Sequence, residues 1–397
     1  MRRLLALTAI AATCALLLAG CSSNSGSPAP TPTATAGGST APANPYPAPS
    51  QTTSFSGEGS SFVGDLVRAW DLEYATVSGG KVHANYPDAP GGSGAGRTAV
   101  ETKKTFYGAS DAPLKAADHA TYANLLQVPE TIGPVAMMYN LANAPDGVKL
   151  TGEVLGKMFT GDIRSWDDPA ITALGNSGMP HTDITIVYRS DSSGTSFAFT
   201  DYLTKASPTF HASTIANGTA TSTPYWGGSK VPHDHQLSGK GSSAVANTVA
   251  ASSCNGCIGY AELNYAVHSS VKMAAIQNKD GNAYLKPSTA GAAAAADSLA
   301  SSLPAPDGDW SKVSLVNAPG ANAYPITTFS YVMVWRHASD YAGGTVPGDA
   351  AQNQAAFKAW LWWGLHDGQE IAVGLSYAPL PASVVAIGEN ALSMMGP

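Results

Sequence analysis

From about residue 55 onward the chain alternates two patterns: apolar residues spaced to share one face of a helix, and short apolar runs closed by turn residues. Such alternation marks an α/β architecture. The helical spacing predicts helices over 62–75 (FVGDLVRAWDLEYA), 154–161 (VLGKMFTG), 242–252 (SSAVANTVAAS), 290–303 (AGAAAAADSLASSL) and 350–365 (AAQNQAAFKAWLWWGL). Strands are predicted over 81–87, 134–141, 184–189 and 327–336, each followed by a Gly, Pro, Ser or Asn turn signal. In the last helix Phe357, Trp360, Leu361, Gly364 and Leu365 form the buried stripe. Trp362 and Trp363 fall off that stripe and read as a second packing surface in preference to a partner-docking patch.

The first residues follow a different logic. Arg2 and Arg3 precede an apolar run of about fifteen residues that ends in Leu18-Ala19-Gly20-Cys21, a secretory signal peptide over 1–20 that is too short to span a membrane. The ending also resembles a bacterial lipobox, which makes Cys21 the lipid attachment point and places the protein at the outer face of the cytoplasmic membrane; an ordinary cleaved signal is the alternative. Residues 22–54 carry no charge and consist almost entirely of Ser, Thr, Pro, Ala, Gly and Asn. They read, with Cys21, as a disordered, lipid-anchored tether (21–54), whose reach grows roughly as 5–6 Å times the square root of its length.

The 397 residues suffice for two domains or one large one, and 44% of them are apolar. A net charge of −7 without any Lys/Arg cluster argues against nucleic acid as a partner. Cys254 and Cys257 are the thiols left after Cys21 in the folded part. Their C-x-x-C spacing fits a structural disulfide, a redox dithiol or half of a zinc site; an exported setting favours the disulfide, and no second ligand pair accompanies it.

Four segments have a common chemistry, namely GEGSSF (57–62), PGGSGAGR (90–97), YGASDAPL (107–114) and YRSDSSGTSFAFTDYL (188–203). Each puts small hydroxyl residues and glycine between a strand end and a helix start, where free N–H groups and the helix dipole favour an oxyanion. Singly, such a serine is more often an N-cap. Nucleotide and hydrolase motifs are absent: PGGSGAGR lacks the G-x-G-x-x-G spacing, SGKGSS is not a P-loop, and Ser93 is not in a G-x-S-x-G elbow. His233 and His235 lack a third ligand at metal-site spacing and read as a polar loop. Neither a metal nor a cofactor is implied, and the pattern favours binding without chemistry.

On these segments, together with FTGDIRSWDDPAI (159–171), GKGSSAV, CIGYAEL, YPITTFSYVMV and WGLHDGQEIAVGLSYAPLPASVV (363–385), the chain resembles the substrate-binding proteins of bacterial phosphate-specific ABC importers from about 57 to 390. The resemblance implies a two-lobed, Venus-flytrap α/β fold of type II-like periplasmic binding proteins, with hinge strands between the lobes. It also implies inorganic phosphate as ligand, ABC permease subunits as partners, a monomer and no enzymatic activity. Ligands carried over are Ser61 and the Phe62 N–H, Ser93, Asp111, Arg189, Ser193, the Gly194 N–H and Thr195, with Asp191 orienting Arg189 from behind. Departures are Ser61 where Thr is frequent, Val63 where Pro often follows, Ser192 where Gly is usual, and a thin match over 206–240.

Within that reading Asp111 is the selective element. A carboxylate only accepts, so it can bond a protonated phosphate but repels fully ionised sulfate. Lobe 1 is expected over 55–138 and 322–397 and lobe 2 over 139–321, crossing near PVAMMYNL and YPITTFSY. A sensor or receptor for another tetrahedral oxyanion, and a phosphatase-like enzyme, are the competing functions.

Overall fold

The computed structural model describes residues 42–299 and 302–397; the signal segment 1–20 and Cys21 lie outside the described residues. Among the described residues no helix is long and apolar enough to cross a membrane. The strands, in chain order, are β1 (Thr53–Gly59), β2 (Val82–Asn85), β3 (Tyr107–Ser110), β4 (Leu125–Asn140), β5 (Lys149–Leu150), β6 (Thr185–Arg189), β7 (Gln236–Gly239), β8 (Cys257–Glu262), β9 (Lys272–Met273), β10 (Ala275–Gln277), β11 (Tyr284–Leu285) and β12 (Thr327–Trp335). Nine of them form one mixed sheet in the order β2-β1-β3-β12-β4-β8-β6-β7, with β9 also paired to β4; β11-β10-β5 form a small second sheet.

The sheet turns on β4. Its first part pairs antiparallel with β12 up to Pro134↔Thr327, and from Val135↔Glu262 onward it pairs with β8. Every residue of β4 except Asn140 is buried, and so is all of β12, as expected of central strands covered on both faces. β4 runs through Pro129, Glu130, Gly133 and Pro134, residues that read as strand breakers in isolation. The register explains the first two: Tyr331 pairs with Pro129 and Ser330 with Thr131, leaving Glu130 as the extra residue of a β-bulge. Bulges accept proline and re-aim a side chain.

The predicted helix over 350–365 is found as Ala350–Leu365. Phe357 and Trp360 enter an aromatic cluster with Phe55, at 5.7 and 5.8 Å between ring centroids, and Trp360 meets Trp70 edge-on at 5.9 Å. Trp362 and Trp363 are buried as well, against His366 and Tyr74, so the off-stripe pair packs inward. The tract assigned to the tether is ordered over its described part. Asn44 Nδ2 donates to Ala359 O at 3.0 Å, Lys358 Nζ sits 4.5 Å from the Tyr46 ring centre, and Thr53 already begins β1. Tyr46 offers the aromatic surface that repays ordering in an otherwise small, polar tract. Cys254 and Cys257 are joined in a disulfide, Cα atoms 5.4 Å apart, in the turn that leads into β8.

Helix Ser93–Glu101 presses directly onto β1 and β3. A Cβ at Gly96 would meet Gly59 Cα at 2.5 Å and Ala109 O at 2.6 Å, both main chain that has nowhere to go. Gly96→Ala is therefore expected to destabilise the protein by about 1–3 kcal/mol, read as a lower urea midpoint at unchanged slope.

Candidate functional site

Four helices begin around one buried cluster: Gly64–Val77, Ser93–Glu101, Gly194–Ala206 and Gly241–Ala250. Each follows a strand end through Ser- or Gly-rich residues, so their N-terminal N–H groups and dipoles face inward together. Contacts tie the loops to one another. Ser61 Oγ lies 3.2 Å from Ser242 Oγ and accepts from Ser242 N at 3.1 Å. Ser93 Oγ accepts from Gly194 N at 3.0 Å and from Asp111 N at 3.2 Å. Gly194 has no room for a side chain, since a Cβ there would meet Asp111 Oδ2 at 2.5 Å and Ser93 Oγ at 2.6 Å.

Arg189 is the buried cation of the cluster. Its side chain is 1% exposed and that of Asp191 7%. Nε donates to Asp191 Oδ1 at 2.8 Å and Nη2 to Asp191 Oδ2, a bidentate pair that fixes the guanidinium plane. Nη1 points the other way, donating to Ser242 Oγ at 3.0 Å and Thr195 Oγ1 at 3.3 Å. Burial opposes ionisation of Asp191, but the hydrogen bond and charge of Arg189 outweigh it and hold that carboxyl below the usual carboxylate range. Asp191 Oδ1 also accepts from Gly241 N at 3.1 Å, so one carboxylate anchors both the arginine and the start of a helix.

Asp111 is the buried acceptor, 1% exposed. Ser60 Oγ donates to it at 2.7 Å, Ser330 Oγ at 2.9 Å and Ser93 Oγ, more weakly, at 3.4 Å. Burial pushes its carboxyl up to about 6, against the pull of Ser60, Ser330, Arg189 and Ser93. It is therefore ionised at neutral pH and can receive a further donor. Adjacent residues of one helix start link the two groups: Thr195 Oγ1 accepts from Arg189 Nη1, and Gly194 N donates to the Ser93 hydroxyl that also accepts from Asp111 N.

The sequence-predicted residues thus converge, with adjustments of role in this structure. Phe62 N–H donates to Ser60 Oγ at 3.0 Å, and Phe62 O accepts from Tyr377 Oη. Ser193 is the N-cap of its helix, accepting from Ser196 N at 3.1 Å, and its own N–H donates to Ser222 O at 2.9 Å. Ser60, Ser242, Ser330 and Glu130 join the cluster without having been singled out as ligands. Ser242 carries the signal the other loops carry, a Gly-Ser pair at a helix start; Ser330 and Glu130 lie inside strands and carry none. Cavities of about 640 Å³, lined by Ser93, Arg97, Lys104 and Lys115, and about 320 Å³, lined by Ser61, Lys240 and Ser242, border the cluster.

Most of the chain matches known proteins. Residues 45–363 match the model of the PBP superfamily domain. The chain is 34% identical over 343 residues to the phosphate-binding protein PstS of Xylella fastidiosa (strain 9a5c), covering 84% of each. Among solved structures it is similar to the phosphate-binding protein of Stenotrophomonas maltophilia, with a TM-score of 0.61 at 20% identity, covering 84% of this chain and 92% of the other. It is also similar to a phosphate ABC transporter substrate-binding protein of Clostridium perfringens with bound phosphate, with a TM-score of 0.55 at 17% identity, covering 83% and 100%.

Proposed function

The chain belongs to the PBP superfamily and within it to the PstS phosphate-binding proteins, and on that basis we propose that it captures inorganic phosphate outside the cytoplasm and delivers it to the permease of an ABC importer. One observation carries the reading: hydroxyls, helix-start N–H groups and a single pre-oriented guanidinium surround one buried carboxylate that can only accept. The donors suit a tetrahedral oxyanion, and the acceptor suits one that still carries a proton. Arg189 and Asp191 cancel in charge, and Asp111 remains ionised, so attraction comes from local dipoles and fixed donors in a water-poor cleft.

The ligand set we assign is Ser61, the Phe62 N–H, Ser93, Asp111, Arg189, Ser193, the Gly194 N–H and Thr195, with Asp191 behind Arg189. Capture follows a hinge motion between lobe 1 (55–138 and 322–397) and lobe 2 (139–321). The partner switch of β4 at Pro134/Val135 and the neighbouring Ile326, whose O accepts from Val135 N at 2.7 Å, are the crossing points that support this division. Cys21 is proposed as the lipid attachment point at the outer face of the membrane, where the loaded protein meets its permease. Equilibrium dialysis of the purified protein against labelled phosphate should give one phosphate per chain with micromolar or tighter affinity. No binding overturns the reading, and release of phosphate from p-nitrophenyl phosphate would move the protein to the phosphatase class.

A further inference from the structure

Glu130 has no place in the ligand set, yet it is fully buried and aimed at it. It is the bulged residue of β4, and its Oε1 lies 3.0 Å from Ser330 Oγ, which lies 2.9 Å from Asp111 Oδ1. Its Oε2 has no hydrogen-bond partner. Ser330 owns a single hydroxyl hydrogen and cannot satisfy two ionised carboxylates at once, so one of the two acids must carry a proton and donate to Ser330. Asp111 accepts from Ser60 and Ser93 and faces Arg189; Glu130 has no other donor. The proton therefore resides on Glu130.

The surroundings agree. The titratable groups within electrostatic reach of Glu130 are Asp111 after β3, Asp71 in helix Gly64–Val77, Tyr86 after β2 and Tyr107 in β3, all acidic or neutral. From helix Gly368–Gly374 the neighbour is Gln369, whose Nε2 donates to Glu130 O at 3.4 Å. Burial, reinforced by the charge of Asp111 and opposed by the Ser330 hydroxyl, pushes the Glu130 carboxyl up to about 8.

We propose that Glu130 is a positioning residue: it holds a proton and, through Ser330, keeps Asp111 an acceptor for the ligand's hydroxyl, so that loss of this proton weakens phosphate capture in alkaline solution. The inference rests on the phosphate reading above. With Glu130 neutral, Oε1–H donates to Ser330 Oγ and Ser330 O–H donates to Asp111 Oδ1. Asp111 Oδ2, beside Ser93 and Gly194, is left to accept from the ligand. Ionised Glu130 draws the serine hydrogen to itself, deprives Asp111 of a donor and adds a second negative charge behind it. The sign is fixed by linkage: bound phosphate makes Glu130 harder to ionise, so affinity is full below its value in the free protein and falls as pH rises through it, by at most about tenfold per pH unit for one proton.

The test is calorimetric titration with inorganic phosphate from about pH 7 to about pH 9.5, comparing wild type with Glu130→Gln. The glutamine keeps an N–H donor on Ser330 at every pH, and the ligand's own ionisation affects both proteins alike. Across the range wild type should lose ~10-fold in affinity relative to the variant, the change common to both being the ligand's. Parallel losses, or a flat wild-type profile with tight binding, overturn the proton-holding role and leave phosphate binding intact. Absence of phosphate binding by wild type at neutral pH overturns the phosphate reading and this inference with it. If Glu130→Gln does not fold, carbon-13 carboxyl NMR of glutamate-labelled protein decides; burial pushes Glu262 up as well, so the spectra are taken on Glu262→Gln: a glutamate still titrating well above the ordinary carboxylate range supports the proposal, and none doing so overturns it.

Discussion

Replacing Arg189 by alanine is expected to lower phosphate affinity by roughly 30- to 4,000-fold, the equivalent of about 2–5 kcal/mol for removing one partner of a buried, hydrogen-bonded charge pair. Two effects act in the same direction. The ligand loses the cationic donor whose plane is held by the bidentate contact with Asp191. The Asp191 carboxylate, its side chain only 7% exposed, is then left without its counter-ion and repels an incoming anion. Thr195 Oγ1 and Ser242 Oγ lose the Nη1 donor that holds them, so the variant should also melt earlier. Arg189→Lys separates charge from geometry: a point charge without the fork restores part of the affinity and none of the bidentate grip on Asp191. Calorimetry on both variants, with circular dichroism to confirm folding, is the check; wild-type affinity in Arg189→Ala would remove the arginine from the site.

The second large effect concerns which oxyanion is refused. Asp111→Asn should collapse the preference for phosphate over sulfate by ~100-fold or more. In wild type, sulfate would place an unprotonated oxygen against an ionised acceptor already supplied by Ser60 and Ser330, and a charged group left unmatched in the interior costs about 1–3 kcal/mol or more. Asparagine removes the charge and offers an N–H where Asp111 Oδ2 stood, so sulfate gains a hydrogen bond. Its remaining oxygen can still accept from Ser60 and Ser330. Phosphate loses a charge-assisted bond and weakens. The same logic gives an acid limit: as pH falls through about 6, Asp111 takes up a proton, becomes a donor, and sulfate rejection should fade even in wild type. Competition titrations of the two anions at neutral pH and near pH 5 would show both effects; an Asp111→Asn variant as selective as wild type contradicts the assigned role.

What could be read in the sequence follows from which forces act locally. The helix over 350–365 was legible to its ends, because a stripe of large aromatics at helical spacing dictates both period and burial. The helix over 290–303 ends sooner, at Asp297, since a run of alanines has high propensity but no internal stop. Only the second half of β4 was visible: Pro129 and Glu130 look like breakers until the β12 register places them at a bulge. The site divides in the same way. Ser61, Ser93, Asp111 and Arg189 lie at strand ends and helix starts whose composition announces an anion. Ser330 lies 219 residues from Asp111 and 200 from Glu130, inside a strand whose alternation gives no hint of either contact. Tertiary pairing alone creates that triad.

The central claim is that loops distant in sequence close on one tetrahedral anion and that Asp111 admits it by its proton. The most direct measurement is calorimetry of the wild-type protein at neutral pH with phosphate and with sulfate, each in the presence and absence of the other. The account predicts micromolar or tighter phosphate binding at one site per chain, with no measurable heat from sulfate and no competition by it. Comparable affinity for the two anions would contradict it.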